Sequence, residues 1–460
     1  MDKTFENMRL LSLIVLLMTT LNLNGQQSDS VFIRKIFNEA LSEGHAYEDL
    51  RSLCKDVGAR LTGSAEAAMA VQWGRHKMES YGFDSVYLQE ITVPHWERGT
   101  TEAGWIKHPD GKLLKVHLLA LGGSVGTDGL IEGEVIEFKH IDSLKNSSRE
   151  EVEDKIVFLN QPMDEQMINT FRAYGACYPI RGHGASEAAV FGAKAVIIRS
   201  LGLPLDHHPH TGSMQYKEGV DKIPAAALST LDAEQLSSLI KEEGTLRFAM
   251  EMDCRNYPDQ QSHNVIGEMR GQESPEKFIS FGGHLDSWDT GEGAHDDGAG
   301  IVHCLEALRI LKELGYQPRH TLRLVFFMNE ENGNMGGKSY AQIAHEKGEQ
   351  HIAALESDRG GFTPRGFSCD GNETHQAMNE SFAPLFKPYL LHKFEKGYGG
   401  VDISPLKDYY PDIALFGFLP DSQRYFDFHH APSDVFENVN KRELELGAAS
   451  MAAMIYLVDN

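Results

Sequence analysis

Phe278-Ile-Ser-Phe-Gly-Gly-His-Leu-Asp286, then Gly293-Ala-His-Asp-Asp-Gly-Ala-Gly300, then Leu324-Val-Phe-Phe-Met-Asn-Glu-Glu331: these stretches of one continuous run decide how the chain folds. The short apolar runs Phe278–Phe281 and Leu322–Met328 are bounded by Gly or polar residues, as strands buried in a parallel sheet are. Between them Ile301, Leu305, Leu308 and Leu311 recur at helical spacing, and Gly315 stands where the helix should stop. The pattern is strand–helix–strand. In such units ligands gather beyond the carboxyl ends of the strands. Both strands here end in metal-type side chains, His284 and Asp286 after the first, Glu330 and Glu331 after the second. An enzyme is the expectation.

The surrounding chain bounds that expectation. Its 460 residues exceed one ordinary core and suggest two or three domains. A 41% apolar and 24% charged composition is that of a globular protein rather than a disordered one. The formal charge of -24 argues against nucleic acid or an anionic membrane as partner, since both would repel it.

Residues 1–25 read as a secretory signal: Lys3 and Arg9 precede the apolar stretch Leu10–Met18, which is too short to span a bilayer. Export is therefore expected (secreted, periplasmic or lumenal), with no membrane span after signal removal. Five cysteines, Cys54, Cys177, Cys254, Cys304 and Cys369, form no Cys-x-x-Cys pair, so neither a zinc ribbon nor a dithiol redox motif is written here. An exported chain could pair some of them, and Cys304 reads as a plain buried thiol.

Along the chain, Val31–Leu41 and Ala65–Tyr81 read as helices around a turn-rich link, Val57 to Ser64, whose Thr62 or Ser64 could cap the second. Ser85–Ile91 reads as a strand. From about Val116 to Met252 the chain has strands and helices of its own, enough for a separate core. Within it His207-His-Pro-His210 reads as a solvated loop, with metal binding as the minor alternative. After Asn264 the strand–helix alternation resumes, with strands at Ile352–Glu356 and Asp412–Phe418 and a closing helix at Arg442–Leu457. The expected organisation is a 26–115 segment and a 253–460 catalytic part of one α/β domain, interrupted by a 116–252 insert.

Side chains with metal chemistry recur at successive strand ends. His284 and Asp286 can point to one side, and the carboxylate could orient the imidazole. Asp296, in a Gly-bracketed turn, could offer one oxygen to each of two metals, with Asp297 its rival or a helix cap. Glu330 and Glu331 are adjacent, so one can bind metal while the other serves as general base. Asp358 follows the Ile352–Glu356 strand, and His429 and His430 share a later loop that spacing alone leaves undecided. Together these form a nitrogen and oxygen donor set suited to zinc, and a pair of zinc ions sharing a carboxylate and a water implies amide or ester hydrolysis. Neither Gly-x-Ser-x-Gly nor His-Glu-x-x-His occurs.

The ordered motifs Gly-Gly-His-Leu-Asp-Ser-Trp-Asp, Gly-Ala-His-Asp-Asp-Gly-Ala-Gly, Asn329-Glu-Glu-Asn-Gly, Glu356-Ser-Asp and Phe428-His-His resemble those of the co-catalytic zinc aminopeptidase family. The resemblance implies an α/β fold, a zinc-peptidase mixed sheet flanked by helices. The insert, with Lys155-Ile-Val-Phe-Leu and Gly192-Ala-Lys-Ala-Val-Ile-Ile, resembles the β-rich protease-associated domain that the family often carries. It further implies two zinc ions per chain, one held by His284 and Asp358, the other by Glu331 and His430, bridged by Asp296. Glu330 would be the general base and Asp286 would orient His284. The family pattern favours His430 over His429 because Asp434 follows it by four residues. Export, a soluble homodimer and hydrolysis of short peptides or dipeptides are also implied. The competing readings are a glutaminyl cyclase-like acyl transfer using one zinc, and a non-catalytic peptide-binding member of the fold.

Overall fold

The apolar runs at Phe278 and Leu322 pair as neighbouring parallel strands, and the molecule is arranged around them. The structure, a computed structural model, describes residues 28–460; the expected signal, 1–25, lies outside the described residues. Counting along the chain, the strands are β1 (Ser85–Glu97), β2 (Glu102–Lys107), β3 (Leu113–Val116), β4 (Leu118–Ala120) and β5 (Ile131–Phe138). Then come β6 (Ile156–Leu159), β7 (Ala195–Arg199), β8 (Ala225–Leu228), β9 (Arg247–Met252) and β10 (Arg255–Met269). The last six are β11 (Ser274–His284), β12 (His320–Phe327), β13 (Gln350–Glu356), β14 (Pro364–Asp370), β15 (Lys393–Lys396) and β16 (Ala414–Pro420).

They form two mixed sheets flanked by helices. The first has the order β1-β10-β12-β11-β13-β16-β14-β15. Its centre, β12-β11-β13-β16, is parallel, and antiparallel strands close both sides. From β11 the chain crosses to β12 on one side and then to β13 on the other, so the crevice at the carboxyl end of β11 is a switch point of the sheet. The crossover helix Ala299–Glu313 is buried from Ala299 to Leu311, which explains its largely apolar sequence; its buried Glu306 and Arg309 pair with each other at 2.6 Å. The closing helix Lys441–Asp459 packs against it.

Local signals held where the chemistry is local. The first helix spans 28–43, and the next expected one is Ala65–Ser80, capped by Ser64, whose hydroxyl accepts from Ala67 N at 3.0 Å. The strand expected at Ser85–Ile91 runs on to Glu97 because its partner β10 continues beside it. Pro94 sits at a register shift between Val93 and His95, where its missing N–H leaves the ladder undamaged.

The second sheet, β3-β2-β9-β5-β6-β7-β8-β4, draws on strands between residues 102 and 252, and its helices Thr170–Gly182, Gly184–Val190 and Thr230–Glu243 make it a mixed layer. One of its cores also takes in Phe362, Tyr425 and Phe426 from the other sheet's loops. Phe171 lies 5.4 Å from Tyr425 and Tyr174 lies 4.6 Å from Phe426, centroid to centroid. This contact brings the second layer against the switch-point crevice. All five cysteines are buried free thiols, so the possible disulfides of an exported chain do not form here. Among the described residues no helix is long and apolar enough to cross a membrane.

Candidate metal centre

Four parallel strands deliver their carboxyl ends to one crevice. β11 ends at His284, Glu330 and Glu331 follow β12, Asp358 follows β13, and His429 and His430 lie in the loop after β16. Asp296 enters from the turn that precedes the crossover helix, and the Asp296–Asp297 peptide there is cis. His284 Nε2 lies 3.1 Å from Asp296 Oδ1 and 3.5 Å from Asp358 Oδ1. His430 Nε2 lies 3.2 Å from Asp296 Oδ2 and 3.0 Å from Glu331 Oε2. Asp296 thus stands between two sets of donors, one at each carboxylate oxygen. His429 Nε2 is farther from Asp296, at 3.7 Å, and its ring stacks on His430.

Both imidazoles present Nε2 because Nδ1 is occupied behind them. His284 Nδ1 is 2.9 Å from the Asp286 carbonyl oxygen, whereas His430 Nδ1 lies 3.3 Å from the Thr211 carbonyl and 3.2 Å from the Arg181 guanidinium. For His284, an N–H given to a carbonyl fixes the tautomer that leaves Nε2 as a lone-pair donor. The Asp286 carboxylate, at 3.9 Å from His284 Nδ1, does something else. Its Oδ1 accepts from Asn329 N at 2.7 Å and Glu330 N at 3.1 Å, and its Oδ2 from Glu331 N at 3.3 Å and Thr62 Oγ1 at 3.0 Å. One buried carboxylate therefore holds the whole turn that carries both glutamates. Asn329 and His430 sit at φ 77° and 61°, a left-handed conformation that side chains rarely adopt and that costs of order 1–3 kcal/mol each. Such positions persist where neighbours fix them, as here.

The same logic places Asp297 and Asp434. Asp297 takes the capping role, accepting from Gly300 N and His284 N, both at 3.1 Å. Asp434 accepts from His295 N at 2.7 Å and Asp296 N at 3.1 Å, which fixes the backbone under the central carboxylate. The fully buried Arg60 side chain gives its hydrogen bonds to carbonyls: Leu285 and Glu292 at 2.6 Å, Gly293 at 3.0 Å and Gly58 at 3.3 Å. It clamps both ends of the loop between β11 and Asp296. Arg359 lies 5.1 Å from the centroid of the Phe171 ring and makes no hydrogen bond among the described residues.

Packing this many carboxylates together raises most of their pKa values. Burial, then repulsion from Asp296, pushes Glu331 up to about 7 against the pull of His430. Glu330 is raised well above the ordinary value by burial, opposed by His284, with Asp358, Glu331 and Asp402 adding repulsion. Burial also lifts Asp434 to about 7 and Glu356 to about 8. Asp296 goes the other way: against its burial, the facing imidazoles of His284, His430 and His429 hold it ionised. In the same field His284 is raised, the carboxylates outweighing burial.

The donor set fits divalent cations. Asp296 Oδ2, Glu331 Oε1 and Asp358 Oδ1 are buried without a hydrogen bond; the nearby imidazole nitrogens are close enough but misdirected. Buried carboxylate oxygens left this way are costly unless a cation or a proton meets them. Two nitrogens and several carboxylate oxygens converging on two points are hard and borderline donors of the zinc type.

Residues 264–455 match the profile of peptidase family M28, and the chain belongs to that family. Among curated relatives, carboxypeptidase Q of Bos taurus is 33% identical over 437 residues, covering 94% of this chain and 89% of the relative. That of Xenopus laevis is 36% identical over 422 residues, covering 91% and 86%. A solved structure of a peptidase M28 precursor from Shewanella amazonensis superposes with a TM-score of 0.89 at 32% identity, covering 95% of this chain and 97% of that one. A zinc aminopeptidase from Bacillus subtilis shares the fold at a TM-score of 0.63 and 20% identity, covering 90% and 94%.

Sequence reasoning did not find Thr62, Arg60 or Thr211. Thr62 was weighed only as a helix cap, and the only hint of Arg60 was a lone cation within a Gly-rich turn. Nothing marked Thr211, because its role depends on the second layer lying against the crevice. The His207–His210 loop also differs from expectation: His210 is 2% exposed, its Nδ1 2.8 Å from the His429 carbonyl oxygen.

Proposed function

We propose that the chain is a dizinc metallo-exopeptidase that hydrolyses short peptides or dipeptides. The observation that carries the reading is the delivery of His284, Glu330, Glu331, Asp358 and His430 to one crevice around Asp296 by the ends of four parallel strands. His284 and Asp358 would hold one ion, Glu331 and His430 the other, and Asp296 would bridge them. When bound, the two ions would polarise the scissile carbonyl and make a water between them more acidic.

Glu330 is left outside that ligand set. Half-buried among other carboxylates, it is a stronger base than a free glutamate. It would take a proton from the attacking water as the C–O bond forms and then deliver it to the amine nitrogen, so that the C–N bond breaks with a neutral amine leaving. Asp286 positions Glu330 through the peptide nitrogens of its turn. Arg359, without a hydrogen-bonding partner among the described residues, suits the free carboxylate of a short substrate. The names of the relatives, carboxypeptidase Q and zinc aminopeptidase, agree in removal of terminal residues and differ in the end read.

Export, a homodimer and the division at 26–115, 116–252 and 253–460, with the middle part as a protease-associated insert, belong to the same reading. The test is metal content and hydrolysis of a dipeptide panel, with and without chelator, for the full chain and for Glu330→Gln. Two ions per chain in the crevice, chelator-sensitive hydrolysis and a roughly 10²–10⁴-fold loss of kcat in Glu330→Gln with metal retained are expected. Fewer than two ions in the crevice, counted as those lost in His284→Ala/His430→Ala, or Glu330→Gln with full activity, refutes it.

A further inference from the structure

Where β3 passes into β4, His117, His207 and Asp232 form a second cluster of donors on different segments. His117 lies between β3 and β4, His207 in the loop after β7, and Asp232 in the first turn of the helix Thr230–Glu243. His117 Nδ1 is 2.9 Å from Asp232 Oδ2, and His207 Nδ1 is 4.0 Å from Asp232 Oδ1. The two rings face each other at 4.6 Å, both open to solvent, over a carboxylate that is 4% exposed. Tetrahedral zinc with bonds of about 2.0–2.1 Å sets its ligand atoms roughly 3.3 Å apart. The two measured separations, which run to different oxygens of the carboxylate, lie on either side of that value, so shifts of about 0.4 and 0.7 Å would seat an ion.

The cluster is held by backbone, not by chance side-chain placement. Asp206 N donates to Thr230 Oγ1 at 3.0 Å, Leu231 N to the Asp206 carbonyl at 3.2 Å, and Ser229 N to the His117 carbonyl at 3.1 Å. The Asp232 carboxylate is further fixed by His117 N and Ser229 Oγ, both at 2.7 Å to Oδ2, which leaves Oδ1 facing His207.

We propose that His117, His207 and Asp232 form a third divalent-cation site, of the zinc type, with water completing the coordination. The site has a route to the crevice. Three residues beyond His207, the His210 ring is bonded to the His429 carbonyl, Thr211 N donates to the His430 carbonyl at 3.0 Å, and the Thr211 carbonyl faces His430 Nδ1. An ion at His207 pins the loop that supports the His429–His430 segment. The peripheral cation is thus a clamp on that loop, separate from the chemistry.

The experiment counts zinc on the full-length protein and on His207→Ala and His117→Ala, two exposed positions whose loss leaves the backbone bonds in place. The wild type should hold one ion more than either variant. A His284→Ala/His430→Ala protein should still bind one ion, and adding His207→Ala should remove it. This difference is read whatever the number bound in the crevice, so it fails independently of the dizinc reading. Hydrogen exchange at the Thr211 amide should slow on zinc loading of His284→Ala/His430→Ala. The slowing should reach about 100-fold when zinc is 100-fold above its dissociation constant. Equal zinc in wild type and His207→Ala, or binding only in the millimolar range, overturns the site. Unchanged exchange at Thr211 with the ion bound overturns the clamp.

Discussion

Replacing Asp286 with Asn tests whether this carboxylate works on the glutamate turn or on His284. In the wild type its two oxygens accept four hydrogen bonds, three of them from consecutive peptide nitrogens, Asn329 to Glu331. An Asn side chain keeps one acceptor oxygen and turns an NH₂ toward donors. At least one pair of bonds is lost: Asn329 N and Glu330 N, or Glu331 N and Thr62 Oγ1. Bonds to a charged, buried acceptor are worth about 1.5–3 kcal/mol each, so roughly 3 kcal/mol of positioning energy is removed. If that energy is what holds Glu330 in place, kcat should fall about 10²-fold, since each 1.4 kcal/mol is a factor of ten. KM should move little. The His284 Nδ1 bond runs to the Asp286 backbone carbonyl and survives the substitution, so His284 keeps its tautomer. Steady-state kinetics on a dipeptide, with metal content measured on the same sample, reads both effects. A variant with normal kcat, or one that loses metal while its remaining loaded fraction turns over normally, would refute the argument.

Other expectations are smaller in scope. Thr62→Val deletes the hydroxyl donor to Asp286 without changing shape much. It should cost about 1–2 kcal/mol in denaturant unfolding and roughly tenfold in kcat, with Thr62→Ser restoring both. Gly300→Ala would drive its Cβ into the Ser357 carbonyl and the Asp297 carboxylate, separating the helix start from the ends of β11 and β13. Unfolding measurements should show a loss of about 1–3 kcal/mol, the usual penalty of overpacking. Glu445, on the buried face of the closing helix with only backbone partners such as Tyr47 N, has its carboxyl pushed up to about 7, chiefly by burial. A raised carboxyl pKa means the folded state holds the proton more tightly than the unfolded one. Its contribution therefore falls as pH rises from about 4.5 to 7, by up to about 3 kcal/mol. Glu445→Gln should match the wild type at pH 4.5 and melt at a higher temperature at pH 8; equal curves at both pH values would exclude the effect.

How the chain reads and how it folds can be compared element by element. The helix carrying Ile301 to Leu311, the strands ending at His284 and before Glu330, and the Ser64 cap were legible because each depends on neighbours a few residues away. Ligand chemistry was legible for the same reason: which residue types end each strand is written in the chain. The tail of β1 past Pro94 was not, because its pairing depends on β10, far away in sequence. Nor was the burial of His210, which follows from the second layer meeting the loop after β16.

What the sequence determined by itself is the inventory: α/β elements in order, and imidazoles and carboxylates waiting at strand ends. What only the tertiary structure decided is which atom faces which. The order β12-β11-β13-β16 sets those ends side by side, turns the Asp286 carboxylate toward the Glu330 turn, and brings Thr211 behind His430. The physical reason is that hydrogen bonds and dispersion contacts act over a few ångströms. Local spacing can place a side chain on a face, but its partner across the crevice is fixed only when distant segments have packed.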